Sequence, residues 1–313
     1  MNPIENGVLS LNGVECRYMV PAALKLQKQL KYVDTYGLLP LISKLSFDPV
    51  NGRWHPINLL LTGPKGNGKS LLFAYFAQEN DIPYLAIDCS EETKERHLKG
   101  GFIVKSGETP FVLGTVTNAI QIANEVGVAM LVLEEVNALS PQMQKLLNPL
   151  TDFRRKMEAP EIPYRFELVP GATLFVCGTM NPNVYGGTYE LNEDLKSRFL
   201  ELELPYPPPA AEKKILREMA PAGAPPPDDV LNKLVDIAKE TRQESTGYAL
   251  STRDLVQLLE SCLRVGWEEV LFLLAQKFNA DDRKLVIDRI RDITRVAVAP
   301  DLAERARALR IAP

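Results

Sequence analysis

Between Ile57 and Ala129 the hydrophobic positions fall into blocks of two kinds. Short continuous apolar runs, INLLLT (Ile57–Thr62) and YLAID (Tyr84–Asp88), are separated by longer stretches such as SLLFAYFAQEN (Ser70–Asn80) that read as helix. That alternation predicts strands of a parallel sheet covered by helices, because strands buried on both faces are apolar throughout. Further apolar runs at Ala129–Leu133, Thr173–Cys177 and Phe199–Leu204 bring the expected strands to five. Ahead of this core, residues 1–55 form a mixed lead-in, with a helix expected from Pro21 to about Tyr36.

The pattern breaks at Leu204–Ala210 (LPYPPPA), since consecutive prolines exclude helix and sheet interiors. The α/β domain is therefore placed at residues 56–205 and a second domain at 206–313. The latter reads as helices alone: AEKKILREM, DVLNKLVDIAKETR, STRDLVQLLESCLRV, and WEEVLFLLAQKF with the residues beyond it. No apolar run is long enough to span a bilayer, and the first residues lack the basic-then-apolar order of a signal peptide, so a cytoplasmic protein without membrane partners is expected. The formal charge of −4 supplies no global field for nucleic acid, which is not favoured as a partner. Four dispersed cysteines and two histidines assemble no zinc spacing; the cysteines are read as reduced thiols and His97 as a structural or surface imidazole.

The first chemistry lies at Gly63-Pro64-Lys65-Gly66-Asn67-Gly68-Lys69-Ser70, which matches G-x-x-x-x-G-K-[ST] directly after a strand and before a helix. Glycines let successive backbone N–H groups converge, and the helix N-terminus adds partial positive charge, so a triphosphate such as ATP would be held by dipoles and Lys69, with Ser70 on Mg²⁺. The second lies at the end of the apolar run AMLVLEEVN, where Glu134 and Glu135 are costly to bury unless a cation faces them. After a phosphate loop that cation is hydrated Mg²⁺, with Glu134 at the metal and Glu135 orienting the attacking water.

Together these segments resemble the AAA+ ATPases, and within them the MoxR-like, dynein-related branch. The resemblance extends from about Ile57 to Glu260 and adds LFVCGTMNPN, similar to a sensor-1 strand with Asn181 as the sensor, and LNEDLKSRFLELEL, where Arg198 corresponds to an arginine finger. In LSTRDLV, Arg253 takes the place of a sensor-2 arginine. The chain departs from the family at the acidic pair, usually Asp-Glu, where the extra methylene of Glu134 bears on metal geometry and turnover. The resemblance implies a P-loop fold with a five-stranded parallel sheet and a small C-terminal helical lid. It also implies a homo-oligomeric, hexameric ring that hydrolyses ATP with Mg²⁺ to remodel or assemble a partner complex. The client or adaptor would be a protein, in some systems one with a metal-dependent adhesion domain on another chain. Within the same branch, the motor subunit of a metal chelatase and a restriction- or phage-type nucleic-acid ATPase are the alternatives.

Three further features derive from the resemblance or stand beside it. Residues 90–128, with HLKGGF and FVLG, resemble the branch's helix-interrupting pore insert, unless Phe102 and Phe111 anchor a hairpin in the core. A hairpin at Lys156–Leu168 takes the place of the pre-sensor-1 insertion. Arg154, Arg155 and Lys156 read as a solvated helix end, or as a contact to a neighbour's phosphates or a nucleic-acid backbone.

Overall fold

The computed structural model describes residues 6–26, 29–104, 108–181, 189–220, 226–242 and 248–295. Two compact units divide the chain: Met1–Gly63 with Lys69–Leu204, and Pro64–Gly68 with Pro205–Pro313.

The first unit is built on five parallel strands, β5 (Asn58–Thr62), β6 (Tyr84–Asp88), β9 (Val128–Glu134), β12 (Thr173–Met180) and β13 (Leu200–Glu203). Their order across the sheet is β13-β5-β12-β9-β6, so β12 lies at the centre between β5 and β9. Both faces are covered. Leu60, Leu131, Leu133 and Val176 point into one core with α4 (Thr115–Val126). Leu59, Leu61, Met130, Val132 and Phe175 point into the other, with α2 (Lys69–Glu79). Those alternating leucines explain why the strands read as continuous apolar runs.

The lead-in differs from expectation. No helix spans Pro21 to Tyr36 among the described residues: a single 3-10 turn covers Pro21–Leu24, and α1 begins only at Leu38 and ends at Ser46. Asp34 sets that start, its carboxylate accepting the Leu38 and Leu39 N–H groups at 2.9 Å each. Upstream lies a hairpin, β1 (Asn6–Leu11) and β2 (Val14–Met19), followed after α1 by the small pair β3 (Phe47–Asp48) and β4 (Arg53–Trp54).

The expected insert is a hairpin of β7 (Gly100–Phe102) and β8 (Phe111–Leu113), after the short α3 (Glu95–Lys99). Strand β2 pairs parallel to β8, giving a four-stranded sheet β1-β2-β8-β7. Its tip also reaches β10 (Lys156–Ala159) and β11 (Tyr164–Glu167), the second expected hairpin: Asn12 Nδ2 donates to the Pro163 carbonyl at 2.7 Å. Of the two aromatics, Phe111 is fully buried and Phe102 is half exposed, its ring 5.4 Å from that of Phe111. His97 is exposed, and its Nδ1 accepts the Lys94 N–H.

The second unit contains α8 (Pro209–Met219), α9 (Asp228–Thr241), α10 (Thr252–Val265), α11 (Trp267–Ala275) and α12 (Ala280–Thr294) around a leucine-rich core. A reciprocal capping box starts α10, with Ser251 and Asp254 each satisfying the other's backbone N–H. At its centre Glu212 is 1% exposed and takes both forks of Arg242, at 2.8 and 2.9 Å, together with the Thr252 hydroxyl at 2.7 Å. Removing one member strands a buried guanidinium, so Glu212→Ala should lower unfolding free energy by about 3–5 kcal/mol in chemical denaturation. A loss below about 1 kcal/mol would show that water replaces the carboxylate. Among the described residues no helix is long and apolar enough to cross a membrane.

Candidate nucleotide site

Strand β5 delivers Gly63 to the C-terminal edge of the sheet, where its N–H donates to the Met180 carbonyl at the end of β12. Lys69, the first residue of α2, is 7% exposed. Its ammonium donates to the Gly63 carbonyl at 2.8 Å and to Asn181 Oδ1 at 3.1 Å. The loop apex, Pro64–Gly68, belongs to the second unit, where the Gly66 carbonyl accepts the Arg253 N–H at 3.1 Å. Gly66 has φ +69, and a Cβ there would lie 2.5 Å from Ser251 Oγ, so both backbone and space require glycine. The Arg253 side chain is exposed.

The acidic pair closes the set. Glu134 ends β9, and its Oε2 accepts the Ser70 hydroxyl at 2.5 Å, so the longer carboxylate does reach the residue expected at the metal. Glu135 has φ +53, a left-handed conformation unusual for a non-glycine residue, and its N–H donates to Thr179 Oγ1 at 3.1 Å. Asn181 Nδ2 donates to Glu135 Oε1 at 3.0 Å, and the Asn181 carbonyl in turn accepts from Asn137 Nδ2 at 3.2 Å. One asparagine thus bridges the loop lysine and the second acid while its own backbone is pinned. Beneath them, burial and then the nearby carboxylates of Asp88, Glu134 and Glu135 push the Cys89 thiol up to about 12, leaving it neutral.

Ser70 and Glu134 offer two hard oxygens at one point, and among the described residues no three His, Cys, Asp or Glu side chains are placed to hold a metal ion together. That sparse donor set suits Mg²⁺, which keeps several waters and takes phosphate oxygens as ligands, better than an ion needing an all-protein cage.

Residues 58–199 match the family model of the AAA domain, dynein-related subfamily. The matched stretch holds Lys69, Ser70, Glu134, Glu135 and Asn181 together. Curated relatives include an uncharacterized protein of Staphylococcus aureus (strain USA300), 29% identical over 168 residues, which are 52% of this chain and 61% of that one. Protein NorQ of Paracoccus denitrificans is 29% identical over 158 residues, 50% and 56% of the two chains. The chain thus aligns with less than two thirds of the length of these relatives. Among solved structures, a RuvB mutant of Thermotoga maritima superposes with TM-score 0.47 at 13% identity, covering 84% of this chain and 73% of that one. NtrX of Brucella abortus gives 0.48 at 19%, covering 75% and 52%.

Within the matched stretch, Arg198 stands apart from the Lys69, Asn181 and Glu135 set. It follows α7 (Glu193–Lys196), and its Nη1 lies 3.6 Å from Asp152 Oδ2. Glu193 and Asp194, the nearest acids upstream of it along the chain, do not pair with it: they sit in the first turn of α7, where Asn192 caps the Asp194 N–H. The basic run is only partly the solvated end it resembled. Arg154 pairs with Asp152 and Lys156 with Glu158, but Arg155 turns inward to Asn58 Oδ1, and desolvation lowers its pKa.

Sequence reading missed Thr179, Asp152 and Asn58. Thr179 lies inside the motif that named Asn181, two residues upstream, where a hydroxyl near the end of a mostly apolar run was the available signal. Asp152 and Asn58 act across the fold and left none.

Proposed function

We propose that the protein is a ring-forming ATPase of the AAA+ type that remodels or assembles a partner protein complex in the cytoplasm. ATP would sit on the Gly63–Ser70 loop, with Lys69 opposite its β- and γ-phosphates and with Ser70 and Glu134 holding Mg²⁺, which would neutralise charge on the phosphate oxygens. Glu135 would polarise the attacking water and Asn181 would sense the γ-phosphate. Arg253 is assigned to sensor 2.

The observation that carries the reading is the Lys69–Asn181–Glu135 chain, 3.1 and 3.0 Å per link. It aligns the phosphate-binding cation with a carboxylate through one amide, so a change at the phosphate would be felt at the base. The ring is supported by where Arg198 is anchored. Its carbonyl is bonded by Asn58 at the start of β5, whereas the loop begins at Gly63 past the end of that strand, about 16 Å away at ~3.3 Å per residue. An arginine held at that end is better placed for a neighbour's nucleotide than for its own.

Glu135→Gln should keep ATP binding and assembly but cut turnover by about 10²- to 10⁴-fold, because the amide accepts no proton. Nucleotide binding, sizing with ATP and phosphate release measure the three quantities. Full turnover in Glu135→Gln with loss in Glu134→Gln would reverse the two acids.

A further inference from the structure

Arg198 is anchored at both ends. Asn58, 8% exposed, donates its two amide hydrogens to the Arg198 carbonyl at 2.8 Å and the Thr151 carbonyl at 2.6 Å, while its oxygen accepts from Arg155. The backbone bearing Arg198 is thereby tied to the end of α6 (Asn148–Thr151), the residue before Asp152. At the other end the guanidinium faces Asp152, whose side chain is 8% exposed.

That carboxylate is already engaged. Asp152 Oδ1 accepts the Arg154 N–H at 2.8 Å, and Oδ2 takes Arg154 Nε at 2.8 Å as well as its Nη2. Little acceptor capacity is left for a bidentate grip on Arg198, and the 3.6 Å separation is a charge contact rather than a hydrogen bond. Arg198 Nε is buried with no hydrogen-bond partner. The arrangement aims a guanidinium without saturating it, and with 31% of the side chain exposed the Nη donors rather than the buried Nε are open to an incoming anion.

We propose that Asp152, shared with Arg154, is a positioning residue for Arg198, holding the guanidinium in its transferable pose. This rests on Arg198 being the arginine offered to a neighbour's nucleotide. Asp152→Asn keeps the shape and removes the charge that aims the arginine. A misplacement of this kind costs about 10²-fold in rate.

The test is a double-mutant cycle in the full-length protein with saturating ATP, single-turnover hydrolysis being used for the slow variants. Asp152→Asn should lower kcat about 10²-fold with KM for ATP and Tm close to wild type. In an Arg198→Ala background it should have no further effect, since it acts through the arginine. Equal losses in both backgrounds, or a loss accompanied by a fallen Tm, would overturn the assignment in favour of a purely structural carboxylate. Slow Arg198→Ala together with wild-type Asp152→Asn removes this inference alone. Wild-type rates in Arg198→Ala remove the finger reading and the inference with it.

Discussion

Arg198→Ala is expected to bind ATP normally and hydrolyse it about 10³- to 10⁵-fold more slowly, the worth of an arginine placed against the charge that develops on a transferred phosphoryl group. The separation of Arg198 from its own loop makes a second outcome measurable. Mixed with Lys69→Ala, which cannot hold nucleotide but keeps its arginine, the inactive variant should regain part of the activity, because an intact site in one subunit borrows the arginine of the next. Mixed assemblies seen by sizing with no return of activity would remove support for trans action. Normal hydrolysis by a wild type that stays monomeric with ATP at all concentrations would end the ring hypothesis. Loss of Tm in Arg198→Ala would instead identify its contact with Asp152 as a fold contact.

Lys69→Ala should abolish tight ATP binding, measured by titration calorimetry or a fluorescent nucleotide. Lys69 is 7% exposed, and its ammonium donates to the Gly63 carbonyl and to Asn181 Oδ1, which direct it toward the site. Alanine removes the side-chain cation of the loop and leaves chiefly backbone dipoles to bind the phosphates. The effect should fall on binding rather than folding, since both released acceptors face the site and can be hydrated. Wild-type affinity in this variant would refute the phosphate-loop assignment.

The parts legible in the sequence are those whose physics is local. A five-residue run buried on both faces, such as Asn58–Thr62, can hardly be other than an interior strand, and a glycine-rich turn before a helix carries its chemistry in its spacing. The acid pair was legible because it interrupts an apolar run. Hidden were the contacts that close over long separations: Asn58 with Arg198, Asp152 with Arg198, and Asn181 with both Lys69 and Glu135. Asn181 was found through its motif, whereas its two bonds required the fold. The failure at residues 1–36 has a different cause. Asn12-Gly13 between alternating runs is a strong two-residue hairpin signal, and both residues have the positive φ that such a turn needs, 49° and 78°. The helix expected from Pro21 does not form there, and Asp34 sets the first helix at Leu38.

That first hairpin lies outside the stretch matching the family, 58–199, yet it supplies two of the four strands in the sheet that contains the insert. Heredity and architecture therefore draw different borders around this domain. A transplant cut at the family border would leave β8 with a bare edge and Asn118 without the Met19 N–H it accepts at 2.9 Å. Any graft of the β7–β8 hairpin onto another protein has to carry residues 6–19 as part of the cargo.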